Sequence, residues 1–127
     1  MAFVYNNPNP TKNLMGDYVI RGIAILTDKS WEYTYMEIIV QGYTMYDMPS
    51  STEVWSAYLK NRGYLKHIIP DKRIDNYTVK DFCYEHPTGR YLLVTGNHVL
   101  TVIDGDYYDT QDSGNEIPIY YFTKEEA

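Results

Sequence analysis

Residues that could do chemistry are concentrated near the C-terminal end, where one histidine precedes several aspartates. His98 opens an apolar run, and Asp109 and Asp112 follow shortly after it. A histidine beside a carboxylate is the base-and-orienter half of a hydrolase triad, in which the carboxylate fixes the imidazole that takes a proton from the nucleophile. The sequence predicts that His98 pairs with Asp112, with Asp109 as the alternative orienter. The nucleophile must lie elsewhere.

A β-hairpin would hold these side chains together. Asp104-Gly105 separates two strand-like runs, and an Asp-Gly pair between such runs is a strong signal for a two-residue hairpin turn. The predicted strands are His98–Ile103 and Asp106–Thr110. The second strand ends in the acidic run. The hairpin therefore places the carboxylates at the same end of the two strands as His98.

The rest of the chain predicts helices first and an antiparallel sheet afterwards, which describes a single α+β domain over residues 1–127. Residues 1–13, rich in Asn-Pro, are expected to form an extended lead-in. Asp17 and Thr78 are the predicted N-caps of the first and fourth helices. The predicted helices are 18–27, Ser30 to near Gly42, Ser50 to Gly63, and 79–85, and the other predicted strands are 64–69, 90–95 and 117–122.

Composition narrows the classes of function. Eleven basic and seventeen acidic residues give a net charge of −6, which disfavours binding to the phosphates of nucleic acid. A single cysteine, Cys83, excludes an internal disulfide and a multi-cysteine zinc site. The start of the chain lacks the features of a signal peptide, and no apolar run of about 18 residues could span a membrane. A cytoplasmic protein without membrane or nucleic-acid partners is expected.

Metal and cofactor motifs are not found. The acidic run from Asp104 has its glycine second, where a calcium loop needs it sixth, and Asn115 where that loop needs glutamate. His67, His86 and His98 lack zinc-site spacing. No glycine pattern for nucleotide phosphates is present. No metal and no cofactor are therefore expected.

Several segments together resemble one family. They cover most of the chain, roughly residues 6–122, and are similar to small papain-like cysteine peptidases of Gram-positive bacteria and their phages. The segments that carry this resemblance are Gly16-Asp-Tyr-Val-Ile-Arg21, Met48-Pro-Ser-Ser51, Tyr77-Thr-Val-Lys-Asp-Phe-Cys83, His98-Val-Leu-Thr-Val-Ile103 and Tyr107-Tyr-Asp-Thr-Gln-Asp-Ser113.

The resemblance implies a papain-like core and a role for each matching position. In such folds the nucleophilic cysteine begins the first helix, where the helix dipole and the histidine stabilise its thiolate. The matching residue here is Tyr18. His98 matches the base, Asp112 the orienter with Asp109 as its alternative, and Asn13 the amide that would stabilise an oxyanion.

The chain departs from the family pattern at two positions. A phenol is a poor acyl acceptor, and the oxygen of Tyr18 lies beyond the place of a cysteine sulfur. Gln111 stands where the family would have tryptophan. The resemblance therefore implies a pseudoenzyme whose former catalytic cleft binds a protein or peptide.

Two other functions remain open from the sequence. One is an active cysteine hydrolase, which requires that Cys83 approach His98 in space or that Tyr18 replace a natural cysteine. The other is a phage interaction protein, such as an inhibitor of a host defence or a virion component. That function predicts an exposed patch of tyrosines. Its members would be Tyr107, Tyr108, Tyr120 and Tyr121.

Overall fold

The computed structural model describes residues 2–12, 17–70, 77–96 and 98–124, and these form an α+β fold with four helices and six strands. The predicted class is confirmed. The elements in chain order are β1 Phe3–Tyr5, α1 Tyr18–Thr27, α2 Trp31–Met45, α3 Thr52–Asn61, β2 Tyr64–Ile68, α4 Val79–Glu85, β3 Arg90–Thr95, β4 Val99–Ile103, β5 Asp106–Asp109 and β6 Pro118–Lys124.

The strands form one sheet in the order β1-β5-β4-β3-β6-β2. All neighbours are antiparallel except β1, which runs parallel to β5 with Phe3 opposite Tyr107 and Tyr5 opposite Asp109. The predicted antiparallel sheet is thus mostly, but not entirely, antiparallel, because part of the predicted extended lead-in forms β1 and pairs in parallel. A three-residue strand is too short to show the alternation from which strands are predicted.

Helices cover both faces of the sheet. Side chains of β3 alternate between the two layers, because successive residues of a strand point to opposite faces. Leu92 packs with Ile23 of α1 in one core, and Leu93 packs with Phe82 of α4 in the other. Helix α2 packs mainly on α1 and α3, and it therefore forms an outer layer.

Helix α1 lies directly on the middle of the sheet. A Cβ at Gly22 would stand 2.9 Å from Cδ1 of Leu92 and 3.3 Å from Cγ1 of Val99. The hydroxyl of Thr101 donates a 2.6 Å hydrogen bond to the carbonyl oxygen of Gly22. This close approach fixes the first residue of α1 beside the beginning of β4.

The Asp-Gly hairpin is confirmed. Asp104 and Gly105 have φ of 49° and 82°, and positive φ at both central residues is what a type I′ turn requires. The register places Val102 opposite Tyr107 and Ile103 opposite Asp106. The two strands are slightly shorter than predicted, because His98 and Thr110 lie just outside them.

The cap predictions had different outcomes. Thr78 forms a capping box with Asp81, as predicted for the start of α4. Asp17 is the N-cap residue of α1, as predicted, but its side chain makes no capping hydrogen bond. The carboxylate instead accepts hydrogen bonds from other parts of the chain, which are described below.

Helix α2 continues past its predicted end near Gly42 and stops at Met45. Tyr46 adopts the left-handed conformation that ends the helix, with φ of 54°. Gly42 serves another purpose, since a Cβ there would lie 2.8 Å from the carbonyl oxygen of Asp47. The missing side chain of Gly42 leaves room for the loop that follows the helix, and Gly42 does not end the helix.

Candidate functional site

The first residue of α1 and the residue before β4 meet at one end of the sheet. The rings of Tyr18 and His98 lie edge to face, with centroids 6.0 Å apart and an interplanar angle of 83°. The structure thus brings together the residue predicted at the nucleophile position and the residue predicted as the base. Within the described part of the chain, Tyr18 makes no hydrogen bond to His98.

One nitrogen of His98 is bound by Asp109, at the end of β5. Nε2 lies 2.7 Å from Oδ2 of Asp109, and only 11% of the histidine side chain is exposed. The same carboxylate accepts 2.7 Å hydrogen bonds from the hydroxyl of Ser113 and from the backbone N–H of Thr110. The alternative orienter is therefore the residue that the hairpin places beside His98.

Asp112 is not placed where the sequence predicted. Its Oδ1 accepts a 2.6 Å hydrogen bond from the hydroxyl of Tyr107 and a 2.9 Å bond from the backbone N–H of Gly114. The ring of Tyr107 is fully buried, so its hydroxyl needs an internal acceptor. The turn after β5 places Asp112 beside the hydroxyl of Tyr107 and not beside His98. The two nitrogens of His98 are bound by Asp109 and Glu116.

The other nitrogen of His98 is bound by Glu116, which sequence reasoning missed. Nδ1 lies 3.0 Å from Oε1 of Glu116, and that oxygen also lies 2.9 Å from the hydroxyl of Thr95. Thr95 pairs with Pro118 across β3 and β6, so the residue just before β6 reaches the same end of the sheet. The pairing of β3 with β6 is the signal that would have identified Glu116.

Two carboxylates on opposite sides of one imidazole favour its doubly protonated form. The hydrogen bond to Asp109 raises the pKa of His98 above its ordinary value against the opposing effect of burial, and the charge of Glu116 raises it further. Burial alone would raise the pKa of the Asp109 carboxyl. The hydrogen bonds from His98 and Ser113 outweigh that effect and lower it.

This geometry favours an ion pair over an acid–base pair. A general base needs a nitrogen that is free to take a proton, and both nitrogens of His98 already face carboxylate oxygens. The carboxylates of Asp109 and Glu116 lie on opposite sides of the ring, so their oxygens do not face a common position. Among the described residues, no group of three or more histidine, cysteine or acidic side chains could hold a metal ion.

The start of α1 is fixed by Asp17. One carboxylate oxygen accepts hydrogen bonds from the amide of Asn9 at 3.1 Å and from the indole of Trp31 at 2.8 Å. The other oxygen forms an ion pair with Arg21 one turn later. Asp17 therefore ties the N-terminal arm and α2 to the helix that presents Tyr18.

A cavity of about 250 Å³ opens beside Tyr18, between α1, α2 and the loop that precedes α3. Its walls are mainly apolar or aromatic. They are formed by Asp17, Tyr18, Val19, Ile20, Tyr35, Ile39, Pro49 and Ser50. Tyr35 is held in place by stacking on Trp31, with ring centroids 5.0 Å apart. A cavity of this size and lining suits one large apolar side chain.

Cys83 lies away from this site. It is buried in the core on the α4 face of the sheet, together with Leu100 and Tyr107, whereas Tyr18 packs against the opposite core. Its carbonyl oxygen would stand 3.5 Å from a Cβ at Gly105, in the turn at the far end of β4 from His98. Burial raises the pKa of the Cys83 thiol to about 11, which opposes thiolate formation.

The predicted amide at the site, Asn13, lies outside the described residues. The N-terminal arm brings another amide to this end of the sheet. Asn6 donates its backbone N–H to the carbonyl of Asp109 at 3.0 Å, and the neighbouring Asn7 is buried. Within the described ranges, Nδ2 of Asn7 has no hydrogen-bond partner.

The predicted tyrosine patch is only partly present. Tyr107 is buried, whereas Tyr108, Tyr120 and Tyr121 are half-buried. The tyrosine rings with more than 70% exposure lie elsewhere, at the end of α2 and on α4. They are Tyr43, Tyr46 and Tyr84.

None of the helices in the described part of the chain combines the length and the apolar character needed to cross a lipid bilayer. Comparisons with protein-family models, with curated proteins and with solved structures gave no match to this chain. The papain-like resemblance therefore remains a prediction from the sequence motifs.

Proposed function

We propose that this chain is a catalytically inactive cysteine-peptidase-like protein, of bacterial or phage origin, that binds a protein or peptide in the cleft beside Tyr18. The observation that carries the proposal is the contact between Nδ1 of His98 and Glu116. In a catalytic triad the ring nitrogen that does not bind the orienter serves the nucleophile. Here it is bound to a carboxylate, and the nucleophile position holds a phenol.

The papain-like part of the proposal is supported by the position of α1. The helix packs on β4, and its first residue stands at the end of the sheet where His98 and Asp109 pair. A catalytic triad needs a nucleophile, a base and an orienter that are held together at one point. Tyr18 takes the third position of this arrangement, but its side chain has no thiol.

The binding part of the proposal is supported by the apolar cavity. Tyr18 is both the ring against His98 and part of the cavity wall, so a ligand side chain in the cavity would contact the former nucleophile position. The wall offers Ile20, Ile39 and Pro49 for apolar contact. Asp17 and Ser50 provide polar atoms at the same opening. A peptide with one bulky apolar side chain fits this chemistry.

Site-specific photocrosslinking in the native host tests the binding. A photoreactive phenylalanine at Ser50, on the cavity wall, should capture a defined protein, and Tyr35→Asp should abolish that capture by placing a charge in the cavity. Tyr84→Asp, on the exposed face of α4, is the matched control and should leave capture unchanged. Equal capture by the crosslinking protein without a further substitution, with Tyr35→Asp and with Tyr84→Asp would contradict binding in the cavity.

A peptide-hydrolysis assay separates this proposal from the active-hydrolase alternative. Wild type and His98→Ala should both fail to cleave a peptide library. Cleavage that depends on His98 would refute the inactive assignment. The location of Cys83, in the other core and beside Gly105, gives the alternative no support. A cytoplasmic or virion-associated location is part of the proposal.

A further inference from the structure

A cavity of about 390 Å³ lies at the C-terminal end of α1, where α2 and α3 meet β3, β6 and β2. Four of the eleven basic residues of the chain line it, although the chain carries a net charge of −6. They are Lys29, Arg62, Arg90 and Lys124. We call this feature the basic cavity. Helix α1 has ten residues and is about 15 Å long, so the basic cavity is separate from the cleft at Tyr18.

Three of the four cations lie over tyrosine rings that also line the basic cavity. A ring face attracts a cation without neutralising its charge, so these contacts position charges that an anion can still bind. Two of the three rings belong to buried tyrosines, which fixes their place in the wall. The pairs are Lys29 over Tyr33, Arg62 over Tyr58 and Lys124 over Tyr64, at 5.7, 4.0 and 5.7 Å from the ring centroids.

The fourth cation, Arg90, is positioned by the end of α1. Its Nε donates a 2.9 Å hydrogen bond to the carbonyl oxygen of Leu26, and its Nη2 donates a 2.7 Å bond to that of Ile25. These bonds offset the partial negative charge that a helix carries at its C-terminal end. A guanidinium has five N–H donors, so Arg90 retains donors for a ligand.

Carboxylates neutralise only part of the charge at the basic cavity. Glu37 forms an ion pair with Arg62, and Asp28 is the one acidic residue among the described residues of the lining. Within the described ranges, Lys29 and Lys124 form no ion pair with a carboxylate. Four cations and two carboxylates leave a surplus of two positive charges, which a bound dianion would balance.

We propose that the basic cavity binds a small phosphate monoester, such as a sugar phosphate or a nucleoside monophosphate. A phosphate monoester carries about −1.5 to −2 charges at pH 7, and its oxygens accept charge-assisted hydrogen bonds from lysine and arginine. Cavities of about 300–1,000 Å³ hold small-molecule ligands, so a volume of about 390 Å³ admits an organic part beside the phosphate. Tyr33, which is 47% exposed, offers a ring to that organic part.

Isothermal titration calorimetry at low ionic strength tests the ligand class. The probes are inorganic phosphate, ribose 5-phosphate, adenosine monophosphate and succinate. At least one of the two esters should bind with a dissociation constant on the order of 1 mM or below, and more tightly than inorganic phosphate. The tighter ester identifies the source of the phosphate. Succinate, a dianion without phosphorus, should bind more weakly than that ester.

Substitutions that change one charge test the location. Lys124→Gln should weaken binding of the tighter ester roughly fivefold or more, whereas Glu37→Gln should strengthen it by releasing Arg62 from a carboxylate. Lys66→Gln is the matched control. The ammonium of Lys66 also lies over a tyrosine, 4.2 Å from the ring centroid of Tyr120, but Lys66 is not among the described residues that line the basic cavity.

Circular dichroism would verify that each variant is folded. Failure of both esters to bind at about 10 mM would overturn the proposal. So would binding of inorganic phosphate or succinate that is as tight as that of the esters. Equal losses from Lys124→Gln and Lys66→Gln would also overturn it, because they would indicate attraction by the general surface charge and not by the basic cavity.

Discussion

Nδ1 of His98 lies 3.0 Å from Oε1 of Glu116, on the side of the ring opposite its 2.7 Å contact with Asp109. The imidazole therefore links three segments: the end of β5, the start of β4 and the turn before β6. A hydrogen-bonded ring in this position stabilises the end of the sheet against which α1 places Tyr18. Because both nitrogens face carboxylates, neither is free to take a proton from a nucleophile.

The first prediction concerns a thiol introduced by Tyr18→Cys. In the wild-type background Glu116 holds Nδ1 of His98, and its negative charge disfavours a nearby thiolate. Adding Glu116→Gln removes that charge, so the rate of alkylation by iodoacetamide at pH 7 should rise roughly fivefold or more. Mass spectrometry would assign the labelled residue.

The chain supplies its own reference for that measurement. Cys83 is buried, and its pKa is raised to about 11, so it should stay unlabelled in both variants. Equal alkylation rates at position 18 with and without Glu116→Gln would contradict the assigned role of the glutamate.

The second prediction is a pH dependence of stability. The hydrogen bond to Asp109 and the charge of Glu116 raise the pKa of His98, so its contribution is fully present below its unfolded value of about 6.5. That contribution is lost as pH rises through the folded pKa. The difference in free energy of unfolding between wild type and His98→Gln should therefore shrink from pH 6 to pH 9, as measured by urea denaturation.

Asp109 sets the acidic limit of the pH range over which its interaction with His98 stabilises the fold. Its pKa is lowered in the folded protein, so its contribution is present above its ordinary value and lost as pH falls through the folded pKa. NMR titration of His98 gives a direct check, because Glu116→Gln should move its midpoint to lower pH. A difference between wild type and His98→Gln that grows toward pH 9 would contradict this account.

The hairpin could be predicted because its information is local. Asp104 and Gly105 specify a turn whose backbone needs positive φ twice, and the apolar run before the turn specifies a buried strand. The helices were predicted for the same reason, from apolar spacing and caps such as Thr78. These signals come from residues that are close together in the sequence, so a single sequence is enough to recognise them.

The partners of His98 could not be predicted because they depend on pairing between distant strands. Glu116 reaches the ring through the register of β3 with β6, and that register shifts after Val94. Asp112 follows β5 closely in sequence, yet the buried hydroxyl of Tyr107 takes its carboxylate. The placement of a carboxylate is set by which buried donor needs it, and the chain alone does not show which donors are buried.

The third prediction concerns the contact that places α1. Gly22→Ala would bring a methyl group within 2.9 Å of the Leu92 side chain, closer than real contacts allow, so either that buried side chain or the helix must shift. We expect a loss of about 1–3 kcal/mol in the free energy of unfolding by urea titration. Gly96→Ala is the matched control, since among the described residues its Cβ would meet only Ile119, at 4.0 Å. Equal effects would show that the contact at Gly22 relaxes freely.

The fourth prediction concerns the inertness of Cys83. The thiol is fully buried between α4 and the sheet, and burial raises its pKa to about 11. In the folded protein at pH 8 it should not react with Ellman's reagent, and its labelling rate should follow the fraction unfolded as urea is added. Cys83→Ser should cost about 1–3 kcal/mol because it buries a hydroxyl in an apolar core, and Cys83→Ala should separate that cost from the loss of volume. Rapid labelling of the folded protein would mean that the α4 face opens, and it would reinstate Cys83 as a possible nucleophile.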